Sequence, residues 1–254
     1  MKGYGVFVGK ELREIVRTWR IWVLPAILLF FALSGPVIAR FTPEIVGALA
    51  GSQLGAITLP DPTHVDAYAA WIKNLSQITL FALIIIYGGI VSAETRSGTA
   101  ILVLTKPVSR GAFVVVKAVV HSLFLAVLVV LGTLVTWAVT AVVFGTSPGG
   151  PLWTSSLVWL VFGVLFMAVM TLFSVLISSA AGAAGAGIGV YVLLSIASIW
   201  KPLKDYSPAG LPGQAATLAA HTTTPSSLWP VLTSLALSIV LVAVAALLFR
   251  RREL

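Results

Sequence analysis

The sequence predicts an all-α, polytopic membrane protein with six transmembrane helices, and three observations support this fold class. Of the 254 residues, 59% are hydrophobic and only 9% are charged, whereas soluble domains carry about 25% charged residues. The hydrophobic residues form six long apolar runs, and the sixteen Lys and Arg residues fall in short clusters between them. Positive clusters beside apolar runs are typical of membrane topology rather than of nucleic-acid binding. An ordinary cytosolic enzyme and, without cysteine, a disulfide-built secreted domain are excluded.

Each apolar run is long enough for a helix that spans the membrane, because crossing about 30 Å of hydrocarbon takes roughly 20 mostly apolar residues. The runs are continuous rather than alternating, which favours helices over barrel strands. Within the predicted bounds no span contains Asp, Glu, Lys or Arg, which argues against a proton-driven carrier. The predicted spans are residues 21–39, 75–93, 119–144, 157–178, 183–200 and 228–249.

The positive charges predict the orientation of these spans. Twelve of the sixteen Lys and Arg residues lie before the first span, between the second and third spans, or after the sixth. The positive-inside rule therefore predicts that both termini are cytoplasmic, in a cell (plasma or inner) membrane. A cleaved signal peptide is disfavoured because the charged leader and the apolar run after it are both long. The four cations on the opposite side are Arg40, Lys73, Lys201 and Lys204.

Residues 4–20 are predicted to form an amphipathic helix at the membrane surface. Apolar residues recur at helical spacing on one side, and basic residues occupy the other, which suits the headgroup boundary. This helix is either a plain anchor or an element that also contacts a partner protein. Its candidate residues are Lys10, Glu11, Arg13, Glu14, Arg17 and Trp19.

The segment between the second and third spans predicts a short helix on the cytoplasmic side. Gly98 can end the helix of the second span, and Thr99 is a plausible N-cap for one or two turns. Pro107 ends that short helix, and Ser109 offers an N-cap for the helix that becomes the third span. The exposed Leu102 and Leu104 would then need a partner surface or the lipid boundary.

This segment resembles the signature of ABC-2-type transporter permeases, the membrane subunits of a class of ATP-binding cassette exporters. The resemblance lies in Glu94, in Gly98-Thr99 and in the string Leu102-x-Leu104-x-x-Pro107-Val108-Ser109-Arg110, followed by Lys117. The opening Lys10-Glu11-Leu12-Arg13-Glu14 is similar to the N-terminal segment of the same family, and six spans with cytoplasmic termini match its topology.

The resemblance implies that this segment is a coupling helix that docks on a separate nucleotide-binding subunit, which would bind ATP and magnesium. Two permease copies, identical or different, would assemble with two such subunits in the lipid bilayer, and nucleic acid is not an expected partner. Glu94 would lie at the cytoplasmic mouth of the pathway and would pair with Arg96, Arg110 or Lys117. The implied partner-binding residues are Glu94, Arg96, Gly98, Thr99, Leu102, Leu104, Pro107, Ser109 and Arg110.

No catalytic residue, cofactor site or metal site is predicted in this chain, and the whole of residues 1–254 is expected to be a single permease domain. The longest gap between predicted spans, residues 40–74, is too short for a nucleotide-binding domain. Gly9-Lys10 is followed by Glu11 instead of the Ser or Thr of a phosphate-binding loop. Two alternatives stay open: a membrane scaffold that docks on a partner without moving substrate, and a stand-alone channel.

Two further segments carry weaker predictions. Ser178/Gly182 and Gly185/Gly189 place small residues four apart, which permits close packing of membrane helices. By position, residues 201–227 match an external loop that in relatives of the resembled family can fold back toward the bilayer.

Overall fold

The computed structural model describes residues 2–50, 60–98, 109–221 and 227–251. Within these ranges every regular element is a helix, and six helices are long and apolar enough to cross a membrane. The predicted fold class and number of spans are therefore confirmed. The first to sixth spans are Ile21–Ala48, His64–Arg96, Arg110–Phe144, Gly149–Leu176, Ala180–Ala197 and Leu228–Arg250.

Several spans extend beyond the bounds expected from hydropathy. The second begins at His64 rather than at 75, and the third begins at Arg110 rather than at 119. A hydropathy run stops at the first charged residues, whereas a helix continues until its backbone is capped. Here Ser109 Oγ accepts a hydrogen bond from Ala112 N at 3.2 Å, so the helix starts at Arg110, seven residues before Lys117. The expectation that no span carries a charge is therefore wrong for the helices as they fold.

The second span is interrupted twice. A π-helical turn, Leu75–Thr79, separates its first helix from the next, and a non-helical stretch at residues 88–91 precedes its last turn. A separate helix at the N-terminus precedes the first span. The N-terminal helix is Lys2–Arg17, and the helix that contains the first span is Arg20–Ala50. The α-helical parts of the second span are His64–Asn74, Leu80–Tyr87 and Ser92–Arg96.

The fourth span lies at the centre of the bundle. It packs against the third, fifth and sixth spans and against the second half of the second span. Of the residues in its most apolar stretch, 72% are buried, against 17% in the fifth span and 22% in the sixth. The core is therefore built around one helix, and the fifth and sixth spans present most of their surface outward.

The connection between the fifth and sixth spans folds back onto the bundle. It forms the helices Lys201–Tyr206 and Leu211–Ala219, joined by the 3₁₀ turn Pro208–Gly210. Leu211 is fully buried where the second of these helices packs on the fourth span and on the start of the second. Gly210 permits this fold, because a Cβ atom there would lie 1.8 Å from the carbonyl oxygen of Lys204.

Ring contacts define the two ends of the bundle. At the end that we call the terminal end, Phe113 contacts Phe7 with ring centroids 5.5 Å apart and Phe249 with centroids 5.4 Å apart. The N-terminal helix, the start of the third span and the end of the sixth span therefore meet there. At the opposite end, the loop end, His64 and His221 are in contact with ring centroids 5.4 Å apart.

The small residues of the fifth span pack differently from the expectation. A Cβ atom at Gly185 or Gly189 would meet nothing within 4 Å, so this four-residue pair contacts no other described element. Gly187, between them, is the glycine at a close approach, since its Cβ would lie 2.5 Å from the sulfur of Met170 in the fourth span.

Candidate functional site: a buried ion-pair cluster at the terminal end

The N-terminal helix presents a mixed face to the bundle. Phe7, Glu11 and Ile15, each four residues apart, are all buried, and the helix packs mainly on the start of the third span. Leu12 and Val16 are exposed, as is Trp19 just beyond the end of the helix. The apolar residues of this helix are therefore divided between the bundle and the outside, and a carboxylate occupies the middle of the inward face.

Lys117 of the third span forms an ion pair with that carboxylate, Glu11. Its side chain is completely buried, and its Nζ donates to Glu11 Oε2 at 2.9 Å and to Glu94 Oε1. Glu14 Oε2 lies 3.8 Å from the same ammonium group. Because Glu94 belongs to the last turn of the second span, this one lysine joins the N-terminal helix, the second span and the third span.

Lys10 is the second cation of the cluster and is partly exposed. Its Nζ donates to Glu11 Oε1 at 2.9 Å, to Glu14 Oε2 at 2.8 Å and to Glu94 Oε1 at 2.8 Å. Two ammonium groups thus bridge the same three carboxylates. Buried charges are stable when each has opposite charge and hydrogen-bond partners around it, and this arrangement supplies both.

The charges of the cluster shift the pKa values of the N-terminal helix. Burial alone would raise the pKa of Glu11, but the contact with His121, the charge of Lys117 and the hydrogen bond from Lys10 lower it to about 2. Burial alone would lower the pKa of Lys10, and the hydrogen bonds to Glu14, Glu94 and Glu11 more than offset that effect and raise it. At neutral pH both side chains are therefore charged.

His121, one helical turn beyond Lys117, extends the cluster into the bundle. Its Nε2 lies 3.7 Å from Glu11 Oε2, and its ring contacts that of Tyr87 with centroids 5.1 Å apart. His121 was not among the predicted site residues, and Lys117 was predicted only as one of three alternative partners of Glu94. The spacing of Phe7, Glu11 and Ile15 was the available signal, because it places a carboxylate between two apolar residues of one helix face.

Glu94 is positioned by the break in the second span. The backbone N–H groups of Val91 and Ser92 both donate to Ser174 Oγ of the fourth span, at 2.9 and 3.0 Å. This hydroxyl therefore accepts hydrogen bonds from two backbone N–H groups that the break leaves without a partner in their own helix. At Gly88 the chain passes so close to the fifth span that a Cβ atom would lie 2.4 Å from the carbonyl oxygen of Ala180.

The structure brings part of the predicted site together. Lys10, Glu11, Glu14 and Glu94 form the cluster with Lys117, and of the three partners expected for Glu94 the cluster contains Lys117. Arg13, Arg17, Trp19, Arg96, Ser109 and Arg110 are exposed at the same end, and Gly98 takes a left-handed conformation with φ of 73° just before the segment. Thr99, Leu102, Leu104 and Pro107 lie outside the described residues.

The cluster is also the one group of carboxylates among the described residues with ligand spacing for a metal ion. One oxygen from each of Glu11, Glu14 and Glu94 lies within 4.8 Å of the others. Those carboxylates already accept hydrogen bonds from the ammonium groups of Lys10 and Lys117. The two ammonium groups therefore balance two of the three carboxylate charges, and the cluster joins three helices.

Comparisons with known proteins place the chain in a family. The family model described as "ABC-2 family transporter protein" matches residues 6–254. A probable ABC transporter permease protein, NosY, from Stutzerimonas stutzeri is 32% identical over 193 residues, which cover 72% of this chain. NosY from Pseudomonas aeruginosa is 33% identical over the same length. The match spans 63% of the length of each of these relatives. Because the family model covers nearly the whole sequence, this protein is a multi-pass membrane protein of the ABC-2 transporter family.

Proposed function

We propose that this chain is the membrane-spanning permease subunit of an ABC-2-type exporter. It moves substrate across the membrane by using ATP hydrolysis in a separate nucleotide-binding subunit, which docks on the cytoplasmic segment 94–113. The observation that carries this proposal is the ion-pair cluster, since Glu94 is the first residue of the segment, Lys117 follows its end, and both pair with residues of the N-terminal helix.

The ion-pair cluster would transmit a movement of the docking segment to the helix bundle. A segment attached to two independent helix ends could move without moving the bundle. Here a displacement of residues 94–113 acts on the second and third spans together, because Lys117 and Glu94 share a hydrogen bond and both contact carboxylates or ammonium groups of the N-terminal helix. Docking would therefore tilt these three elements as one unit.

The remaining parts of the proposal concern the assembly. ATP and magnesium bind to the partner subunit, and this chain contributes no catalytic residue. A second permease copy, identical or different, completes the pathway. The positive-inside rule puts the terminal end, with both chain termini and the docking segment, in the cytoplasm. The relatives are named as probable permease proteins, which supports the division of labour between two chains.

The docking segment can be tested by co-purifying the chain with its nucleotide-binding subunit and measuring ATP hydrolysis. The double variant Leu102→Asp, Leu104→Asp is expected to lose the complex and to reduce stimulated hydrolysis to the level of the free ATPase. Ala181→Asp is the matched control, because Ala181 is exposed in the first turn of the fifth-span helix, where an acidic residue is favourable. Unchanged complex formation in the double variant would overturn the proposal. A complex that forms without stimulating hydrolysis would support the scaffold alternative.

A further inference from the structure

A groove of about 470 Å³ opens between the first and second spans at the loop end. It is separate from the ion-pair cluster, and it runs along one face of the first span. From the first span it is lined by Phe31, Ser34, Gly35, Ile38, Ala39 and Thr42, and from the facing segment by Asp61, Asp66, Ala70, Lys73 and Asn74.

Small side chains create the space at the inner part of the groove. A Cβ atom at Gly35 would lie 3.9 Å from the Cβ of Ala70, so the two helices are in loose contact there. The hydroxyl groups of Ser34 and Thr42 donate to carbonyl oxygens of their own helix, each at 2.7 Å. The inner wall therefore has its polar groups satisfied and suits a hydrocarbon chain.

The depth of the groove follows from helix length. About 30 Å of hydrocarbon corresponds to roughly 20 helical residues. Twenty residues counted from Ile21, at the terminal end of the first span, reach the level of Arg40. Twenty residues counted back from Glu94, at the terminal end of the second span, reach the level of Asn74. The groove thus extends from the middle of the bilayer to the headgroup level at the loop end.

The charges of the groove are ordered along its length. Lys73 lies at the hydrocarbon boundary and forms no ion pair with any residue that the structure describes. Asp66, two helical turns nearer the loop end, is on the same helix face, about 10 Å away along the axis. Asp66 uses Oδ2 to accept from Thr63 N at 2.8 Å. Asp61 is exposed beside it.

We propose that this groove binds a zwitterionic phospholipid with a primary amine, such as phosphatidylethanolamine, from the leaflet at the loop end. An acyl chain packs along Phe31, Gly35 and Ala39. The phosphate accepts hydrogen bonds from Lys73, and the ammonium group, two carbons farther out, donates to Asp66 and Asp61. The sequence of apolar wall, cation and anions matches the order of acyl chain, phosphate and amine in this lipid. The site requires only the membrane placement of the chain and not its nucleotide-binding partner.

Native mass spectrometry of the full chain, released from detergent after titration with lipids of identical acyl chains, tests the proposal. Phosphatidylethanolamine is expected to be retained at about tenfold lower concentration than phosphatidylcholine, whose methylated amine cannot donate hydrogen bonds, and than phosphatidylglycerol, which has no amine. Equal retention of the three lipids would overturn the proposal, and so would no retention of any, the result expected if another protein surface covers the groove.

Variants separate the two charges. Lys73→Gln is expected to weaken retention of both phosphatidylethanolamine and phosphatidylglycerol about tenfold. The double variant Asp61→Asn, Asp66→Asn is expected to reduce retention of phosphatidylethanolamine to that of phosphatidylcholine without affecting phosphatidylglycerol. Lys201→Gln, at an exposed lysine of the same end outside the groove, is the control and retains wild-type behaviour. Loss of retention in Lys201→Gln equal to that in Lys73→Gln would contradict the site.

A steric variant tests the apolar part. Gly35→Leu fills the space between Gly35 and Ala70 and is expected to reduce phosphatidylethanolamine retention about tenfold. Gly47→Leu, on the same helix at a position where a Cβ meets nothing within 4 Å, is expected to bind normally. Melting temperatures in lipid-free detergent establish that each variant is folded. If Gly35→Leu fails that check, the charge variants decide the question, and unchanged retention in them rejects the site.

Discussion

Two lysines of neighbouring membrane helices illustrate how differently the two ends of this molecule are built. Lys117, at the terminal end, is completely buried among Glu11, Glu14 and Glu94. Lys73, at the loop end, is exposed on the wall of a groove and is paired with none of the described residues. A cation whose partners come from its own chain holds helices together, whereas a cation whose own chain supplies no partner is available to a ligand. The same residue type therefore serves cohesion at one end and, in our proposal, recognition at the other.

The largest expected difference between the two ends comes from removing these ammonium groups. Lys117→Met leaves three carboxylates around Lys10 alone and should lower the free energy of unfolding by about 3–5 kcal/mol, since it strands buried charge. Lys73→Met removes an exposed charge and should change it by less than about 0.5 kcal/mol. Thermal unfolding in lipid-free detergent measures both, and equal effects would remove the distinction between the ends.

A smaller effect is expected from the pH dependence of the cluster. The pKa of Glu11 is lowered from 4.5 to about 2, so its ionised form stabilises the folded state above pH 4.5, and that contribution is lost as the pH falls toward 2. Glu11→Gln should therefore cost about 3 kcal/mol at pH 7 and progressively less below pH 4.5. Unfolding of wild type and variant between pH 7 and pH 3 measures the difference. Glu44→Gln, at an exposed residue of the first span, is the control, and a cost for Glu11→Gln that does not change with pH would contradict the assignment.

The smallest effect distinguishes tight from loose helix contact. Gly88→Ala at the terminal end should destabilise the protein by about 1–3 kcal/mol, because the added Cβ meets a backbone carbonyl of the fifth span that has no rotamer to change. Gly35→Ala in the groove should be neutral or stabilising by up to about 1 kcal/mol, since its Cβ makes only an ordinary contact and alanine favours the helix. Opposite signs in thermal unfolding are the expected outcome, and the same sign for both would indicate that the groove is as tightly packed as the terminal end.

Much of the fold could be predicted from the sequence, because six apolar runs have few ways to avoid water. The residues at which the helices begin and end were harder to predict. Helices of 33 and 35 residues in the second and third spans are longer than the hydrocarbon thickness requires, and their extra turns carry the charged residues that end a hydropathy run. Lys117 therefore lay outside the predicted third span, 119–144, although the predicted N-cap Ser109 already starts its helix.

The candidate site could be predicted only in part, for a related reason. Lys10, Glu11, Glu14 and Glu94 were identified from a resemblance and from their positions, but the distances between them depend on how the N-terminal helix is rotated. Glu11 and Lys117 are 106 residues apart, and no local pattern relates them. The coupling segment itself stays a prediction, since residues 99–108 lie outside the described ranges.

The π-helical turn at Leu75–Thr79 has a consequence for how the two halves of the second span pack. The helix before the turn packs mainly on the first span and on the helix Leu211–Ala219, whereas the helix after it packs mainly on the fourth and fifth spans. A π turn inserts an extra residue into the winding, so the two halves are out of phase and each faces its own neighbours. Deleting one residue at the turn would rotate one half of the span by about 100° relative to the other, and one half would then lose the contacts that it makes now.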